Sequence, residues 1–150
     1  MYTDGSCSPN PGPGGWGAVL LFGESETPTE LKGSVLNATN NRMELLAVIV
    51  GLESIKKGGW GVLIYSDSKY VVDAIKKGWL WDWQKKGFKK KKNVDLWQRF
   101  IPLYKRHNVK FKWLKGHAGD PENEKCDYLA VKSAESNNLL DDHGYISENP

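Results

Sequence analysis

Cysteine is scarce in this chain, with only Cys7 and Cys126 among 150 residues. Two cysteines do not make a disulfide framework. Long apolar runs are missing as well. The longest, Leu45 to Leu52, contains a glycine and falls far short of the ~20 residues a membrane-spanning helix needs. The start, Met1-Tyr2-Thr3-Asp4-Gly5, has no basic head followed by an apolar stretch, so export is not expected. Together these absences point to a reducing, cytoplasmic setting. Asn37-Ala38-Thr39 matches the glycosylation triplet, but without a secretion signal the match carries no weight. Internal repeats and linkers are absent too. Residues 1–150 therefore read as one domain, long enough to bury ~68–70% of the surface its unfolded chain would expose. Only about 138–150 are expected to form a loosely ordered tail, since the stretch from Ser133 onward carries four acids and no lysine or arginine.

A marked excess of either charge is also lacking, the net charge being +3. Its distribution is informative. Between Lys76 and Lys92 lie eight lysines and one acid, Asp82, so this strip carries +7 and the rest of the chain −4. Trp79, Trp81 and Trp83, three of the seven tryptophans, sit in the same strip. Cations interleaved with aromatics suit a surface that tracks phosphates and packs on sugars or bases. A solvated lysine-rich loop has the same composition, and at this point the two readings weigh evenly.

The chain's periodicities predict a mixed α/β sheet. Ser8 to Gly15, with three prolines and three glycines, reads as a loop; Trp16 to Phe22 and Leu31 to Leu36 read as a hairpin. Leu45, Leu46, Val48, Ile49, Leu52 and Ile55 recur at helical spacing, with Gly58-Gly59 as the stop. Val62-Leu63-Ile64-Tyr65 is a continuous apolar run, as in a central strand covered on both faces. Helices are expected from Ser68, across the tryptophans of the strip, and from Val94 to His107 with Pro102 bending it or marking a late start. A last strand around Val109, Phe111 and Trp113 precedes a helix announced by Asp120-Pro121-Glu122-Asn123-Glu124, a capping aspartate with proline at the first helical position.

Four carboxylates from four elements can then converge. Asp4 follows the first strand and Asp67 follows the buried strand, at the carboxyl edge where open α/β sheets place their sites. Glu44 and Asp127 border the apolar stripes of their helices. Each has a structural alternative: Asp67 as a helix cap, Glu44 as third-position partner of a cap at Asn41, Asp4 as a turn residue, Asp127 as a solvated acid. Jointly they form an all-oxygen donor set suited to Mg²⁺ or Mn²⁺ and poorly suited to zinc. Such a cluster repels itself unless cations occupy it. Two ions about 3.5–4 Å apart would stabilise both oxygens of an in-line phosphoryl displacement. His117, flanked by glycines in Lys115-Gly116-His117-Ala118-Gly119, sits on the loop leading to the Asp127 helix and is placed to shuttle protons. The glycines of Pro11 to Gly15 lack a following Gly-Lys-Ser/Thr, which argues against a nucleotide-triphosphatase loop.

Five blocks in order now give the chain a close resemblance to ribonuclease H of type 1, the bacterial ribonuclease HI kind, from Tyr2 to about Tyr145. They are Thr3 to Cys7 with Asn10 to Gly15, then Thr39 to Leu45, Ser66-Asp67-Ser68, Lys92 to Trp97, and Lys115 to Gly119 through to Cys126-Asp127. The resemblance implies a ribonuclease H-like fold, a five-stranded mixed sheet flanked by helices with a basic helical protrusion. It implies an endonuclease that cuts the RNA strand of RNA–DNA hybrids with Mg²⁺, leaving 5′-phosphate and 3′-hydroxyl ends. It implies Asp4, Glu44, Asp67 and Asp127 as metal ligands, with Asp4 bridging, and His117 as the histidine that assists proton transfer or product departure. Asn10, Asn40 and Asn41 fall where the family touches the minor groove, and Thr39 and Asn93 where it holds a DNA phosphate. Trp79 and Trp83 fall where it packs on the DNA strand, within a protrusion that carries Lys85, Lys86, Lys89 and Lys90. No obligate protein partner is implied, so a monomer is expected.

This substrate fits the residues, since short polar side chains such as asparagine reach the 2′-hydroxyls of a wide, shallow minor groove. Three residues precede Asp4 where the family usually has more, which predicts a weaker first strand and metal site. Two alternatives stand beside the hydrolase: a catalytically weak hybrid-binding module, and a DNA-acting nuclease of the same superfamily.

Overall fold

Glycine decides where the first hairpin begins. The structure is a computed structural model and describes residues 1–22, 28–115, 120–135 and 141–149. Strand β1 (Tyr2–Cys7) runs antiparallel to β2 (Gly12–Leu20), and β2 antiparallel to β3 (Thr29–Ala38). The second half of the expected Ser8 to Gly15 loop thus belongs to β2, with a register irregularity between Gly12 and Gly14. Packing is the reason. Helix α5 (Pro121–Ala134) lies so close that a Cβ on Gly15 would stand 2.6 Å from the Ala134 nitrogen and would meet the Ala130 carbonyl oxygen. Only a residue without a side chain permits that approach, so glycines that look like punctuation are strand residues under a helix.

The remaining elements follow in order: α1 (Asn40–Glu53), β4 (Gly61–Ser66), α2 (Lys69–Lys76), α3 (Trp79–Lys85), α4 (Val94–Arg106), β5 (Asn108–Trp113), then α5 and α6 (His143–Glu148). The sheet has the order β3-β2-β1-β4-β5, with β4 parallel to both β1 and β5. This is the five-stranded mixed sheet with flanking helices expected from the sequence. Strand β1 pairs with β2 along its whole length and with β4 at Tyr2↔Tyr65. Helix α1 stops at Glu53, before the glycines expected to end it, and Ser54 Oγ donates to the Gly51 carbonyl. Helix α4 runs through Pro102.

Two unequal apolar layers hold the sheet. On one face Leu45, Val48, Ile49 and Leu52 of α1 pack with Ala18, Ile64, Val72, Trp97 and Phe100, all buried. On the other, Val19 packs with Cys126 and Leu129 of α5. Among the described residues no helix is long and apolar enough to cross a membrane.

The C-terminal segment differs from the expectation of a loosely ordered tail. Residues 141–149 contain α6, capped by Asp142, whose carboxylate also accepts from Arg42 Nε at 2.5 Å and Nη2 at 2.8 Å. Arg42 donates a second pair of hydrogen bonds to Asp95, at 2.8 and 2.6 Å, and is 1% exposed. A run of acids without lysine or arginine looked solvated because its partner is a buried arginine a hundred residues away.

Substituting Gly15→Ala should lower stability by roughly 1–3 kcal/mol, because backbone must move to admit the methyl group. Gly61→Ala, with nothing within 4 Å of the added carbon, should be neutral or mildly stabilising. Urea melts of the two variants beside the parent check the contrast.

Candidate active site

Three of the four expected carboxylates meet where β1, α1 and the carboxyl end of β4 adjoin, Asp4 standing inside β1 rather than after it because the strand continues to Cys7. One oxygen each from Asp4, Glu44 and Asp67 lies within 4.8 Å of the other two. Asp4 is carried by the central strand and is 3% exposed; Glu44 comes from the second turn of α1 and is 8% exposed; Asp67 is half-buried just beyond β4. Asp127, half-buried on α5, stands outside this trio but lines the same cavity of about 440 Å³, together with Asn40, Asn41 and Ser68. His117 lies outside the described residues.

Local structure removes two of the ordinary explanations. Ser68, not Asp67, caps α2, its hydroxyl accepting from Val71 N. Thr39, not Asn41, caps α1 and accepts from Arg42 N, so Glu44 is two positions too late to complete a capping box. Asp4 does accept a local bond, from the Gly5 amide at 2.9 Å, but from within a strand.

Burial raises the Asp4 carboxyl to about 7; a hydrogen bond with Glu44 opposes this, and the charges of Asp67 and Asp127 add to it. Glu44 is also pushed well above the usual carboxylate range, by burial first and by the Asp4 charge second. One of its oxygens, Oε2, is buried with no hydrogen-bond partner. Buried acceptors are ordinarily satisfied, and this one belongs to an all-oxygen trio of close carboxylates. These residues fit a divalent cation: hard oxygen donors, a compact arrangement, and an unspent lone pair. Asp4, Glu44 and Asp67 would hold it, with Asp127 beside them.

A second cavity, of about 750 Å³, adjoins the first and shares Asn40, Asn41 and Tyr70 with it. Of the residues expected to touch a substrate, Asn10, Thr39, Asn40, Asn41, Trp83 and Asn93 all line it. Asn10 Oδ1 accepts from the Asn40 amide, which ties the loop between β1 and β2 to the start of α1. Trp79 is exposed outside both cavities with Lys77 Nζ 5.1 Å from its ring centroid. Lys85, Lys86, Lys89 and Lys90 are exposed and line neither.

Two further lysines of the strip, Lys91 and Lys92, do line the larger cavity. Sequence reasoning missed Tyr70, whose hydroxyl accepts from Asn93 Nδ2 at 3.1 Å and from Trp97 Nε1 at 2.9 Å. The lysine strip contained the signal for the first pair. Nothing in the spacing of Tyr70 separates it from an ordinary helix tyrosine.

The raised carboxyls make a signed prediction for the metal-free protein. The folded chain keeps protons that the unfolded chain releases near pH 4, so stability falls as pH rises from about 4 through about 7. Asp4→Asn should therefore unfold at higher denaturant than the parent at pH 8, by on the order of 1–3 kcal/mol, with little difference at pH 4.5. Urea melts in EDTA at both pH values check this.

Comparison with known proteins agrees with this geometry. Residues 1–135 match the RNase H family model. The chain is 54% identical over 144 residues to the ribonuclease H of Desulforamulus reducens, an alignment covering 93% of this chain and 89% of that protein. It is 45% identical over 150 residues to the ribonuclease HI of a Synechocystis species, covering 97% and 92%. Among solved structures, LC9-RNase H1 superposes with a TM-score of 0.76 at 30% identity, covering 99% of this chain and 79% of that one. A central-strand aspartate meeting a helix glutamate and a strand-end aspartate, on a chain matched over nearly its whole length, places this protein in the ribonuclease H family.

Proposed function

We infer that this protein is an endoribonuclease that hydrolyses the RNA strand of RNA–DNA hybrids, leaving 5′-phosphate and 3′-hydroxyl ends. The observation that carries the reading is the junction of two cavities: a carboxylate trio in one, a polar cradle of Thr39, Asn40, Asn41 and Asn93 in the other, with Asn40 and Asn41 in both. A bound duplex lying across Asn40 and Asn41 presents one strand to the carboxylates and the other to the cradle. The strand offering 2′-hydroxyls to asparagines is RNA.

Mg²⁺ is the cofactor this donor set suits, most simply as two ions, with Mn²⁺ able to replace it. When bound, it supplies the positive charge that an in-line phosphoryl displacement requires. Asp4, Glu44, Asp67 and Asp127 would hold that charge in place. His117 moves protons during attack or product departure. Thr39 and Asn93 hold a DNA phosphate, Asn10 reaches the minor groove with Asn40 and Asn41, and Trp79 and Trp83 pack against the DNA strand. Lys85, Lys86, Lys89 and Lys90 belong to a basic protrusion that neutralises phosphates beyond the cradle. The enzyme works as a cytoplasmic monomer.

A labelled hybrid incubated with the protein and Mg²⁺ should be cut in its RNA strand, with RNA–RNA and DNA–DNA duplexes left intact. Cleavage of DNA duplex would instead establish the DNA-acting alternative, and binding without cleavage the weak module. Asp67→Asn should lower the cleavage rate on the order of 10²–10³-fold with the fold retained. A variant cutting at the parental rate removes Asp67 from the site. Replacing Lys89, Lys90, Lys91 and Lys92 by alanine should reduce the slope of log affinity against log salt by about 1 for each phosphate no longer neutralised. An unchanged slope returns the strip to a solvated loop.

A further inference from the structure

The cradle that takes a DNA phosphate in the reading above already holds an anion of the protein's own. Glu148, at the end of α6, accepts a hydrogen bond from the backbone N–H of Asn93 at 2.7 Å. Asn93 stands at the N-terminus of the thirteen-residue helix α4, in left-handed backbone geometry (φ 60). Its side chain makes no cap bond; Nδ2 donates to the Tyr70 hydroxyl and Oδ1 accepts from Arg42 Nη1. Asn93 and the Glu148 that its amide reaches both line the cavity, as do Lys91, Lys92 and Thr39. A helix-start amide beside lysines and a threonine is where a phosphate oxygen is accepted, and a carboxylate oxygen is the same kind of acceptor.

The placement of Glu148 follows from tertiary anchoring rather than from local chain preference. Asp142 caps α6 and is clamped by the buried Arg42. Gly144 lies against the Asp95 carboxylate, where an added Cβ would be 2.7 Å from its Cγ. Two turns' worth of fixed chain thus deliver Glu148 to the cradle, and Tyr145 and Asn149 of the same segment line the cavity wall.

We propose that Glu148 is a built-in competitor for the phosphate cradle: in the free protein its carboxylate occupies the Asn93 amide, and the hybrid's DNA phosphate must displace it. This rests on the hybrid-binding reading of the site. Rotation of one side chain is enough for the exchange, since Arg42 keeps α6 in place. The free enzyme is then divided between closed and open cradles, and its apparent affinity is reduced by the closed fraction. The same carboxylate recaptures the amide when a product leaves, which favours release.

Hybrid affinity, measured by fluorescence anisotropy in EDTA so that no cutting occurs, tests the proposal alongside the Asn93 amide resonance followed by ¹⁵N NMR. Glu148→Ala, which removes the acceptor, should bind the hybrid about three- to tenfold more tightly than the parent. Its free Asn93 resonance should be displaced from the parent's, and both proteins should converge on one resonance when saturated with hybrid. Glu135→Ala removes an exposed acid on the chain segment after α5 and serves as the charge control. Equal tightening by Glu135→Ala and Glu148→Ala would reduce the effect to overall charge and overturn the proposal. So would equal affinity of parent and Glu148→Ala, or a parental Asn93 resonance that hybrid leaves unmoved. In those cases Mg²⁺-dependent cleavage by the parent keeps the hydrolase reading intact. Failure of both proteins to bind or cut the hybrid removes that reading, and the competitor with it.

Discussion

The close seating of α1 on β1 is the constraint on which the rest depends. A Cβ on Gly5 would lie 2.5 Å from the Met43 carbonyl carbon and would overlap the Glu44 nitrogen. With no Cβ there, the backbone of Glu44 rests directly beside the strand that bears Asp4. Two acids that would avoid each other in solution are held together by main-chain packing. Their mutual repulsion and burial work against the fold, which stays intact because the apolar layer under α1 is the larger of the two. Stability and reactivity are in tension at this point, as is common where carboxyls are forced together.

Arg42 links that constraint to the far side of the molecule. It lies two residues before Glu44 and is itself buried, with its guanidinium between the exposed Asp95 of α4 and the half-buried Asp142 before α6. A guanidinium that is 1% exposed requires such partners, since losing both would leave a buried charge without compensation. The geometry is doubly bidentate, which fixes orientation as well as distance. Helix α1 is thus held between carboxylates on two sides, one set paired with Arg42 and the other gathered around Asp4 and Glu44.

Much of this was legible in the sequence, for physical reasons that differ by residue. The strands and the helix register were readable because apolar side chains repeat with the period of the element that buries them. Glu44 and Asp67 were readable because a helix face and a strand end place them at one edge, Asp4 comes from inside the neighbouring strand, and the structure brings those three together. Asp127 lines the same cavity without joining the trio, on a helix whose position is set by Cys126 and Leu129 packing on the sheet. The start of β2 was not readable, because glycine signals a loop locally and a tight helix approach globally. The docking of residues 141–149 was equally hidden. Its partner Arg42 is distant in sequence, and no local pattern distinguishes a solvated aspartate from one that will meet a buried guanidinium.

Phe88 shows how the lysine strip differs from an ordinary charged loop. Its ring is buried in the main apolar layer although its backbone adopts φ 58, and Lys90 beside it takes φ 60. Leu80, one turn into the same segment, is fully buried as well. The cations between them project from a segment nailed down at both ends. A flexible polylysine loop must surrender backbone freedom when it lies along a polyanion; a segment already fixed has surrendered it during folding. On the proposed reading of the strip, counterion release would therefore proceed with little further loss of chain entropy, and its pull on a phosphate backbone would depend more on ionic strength than on temperature.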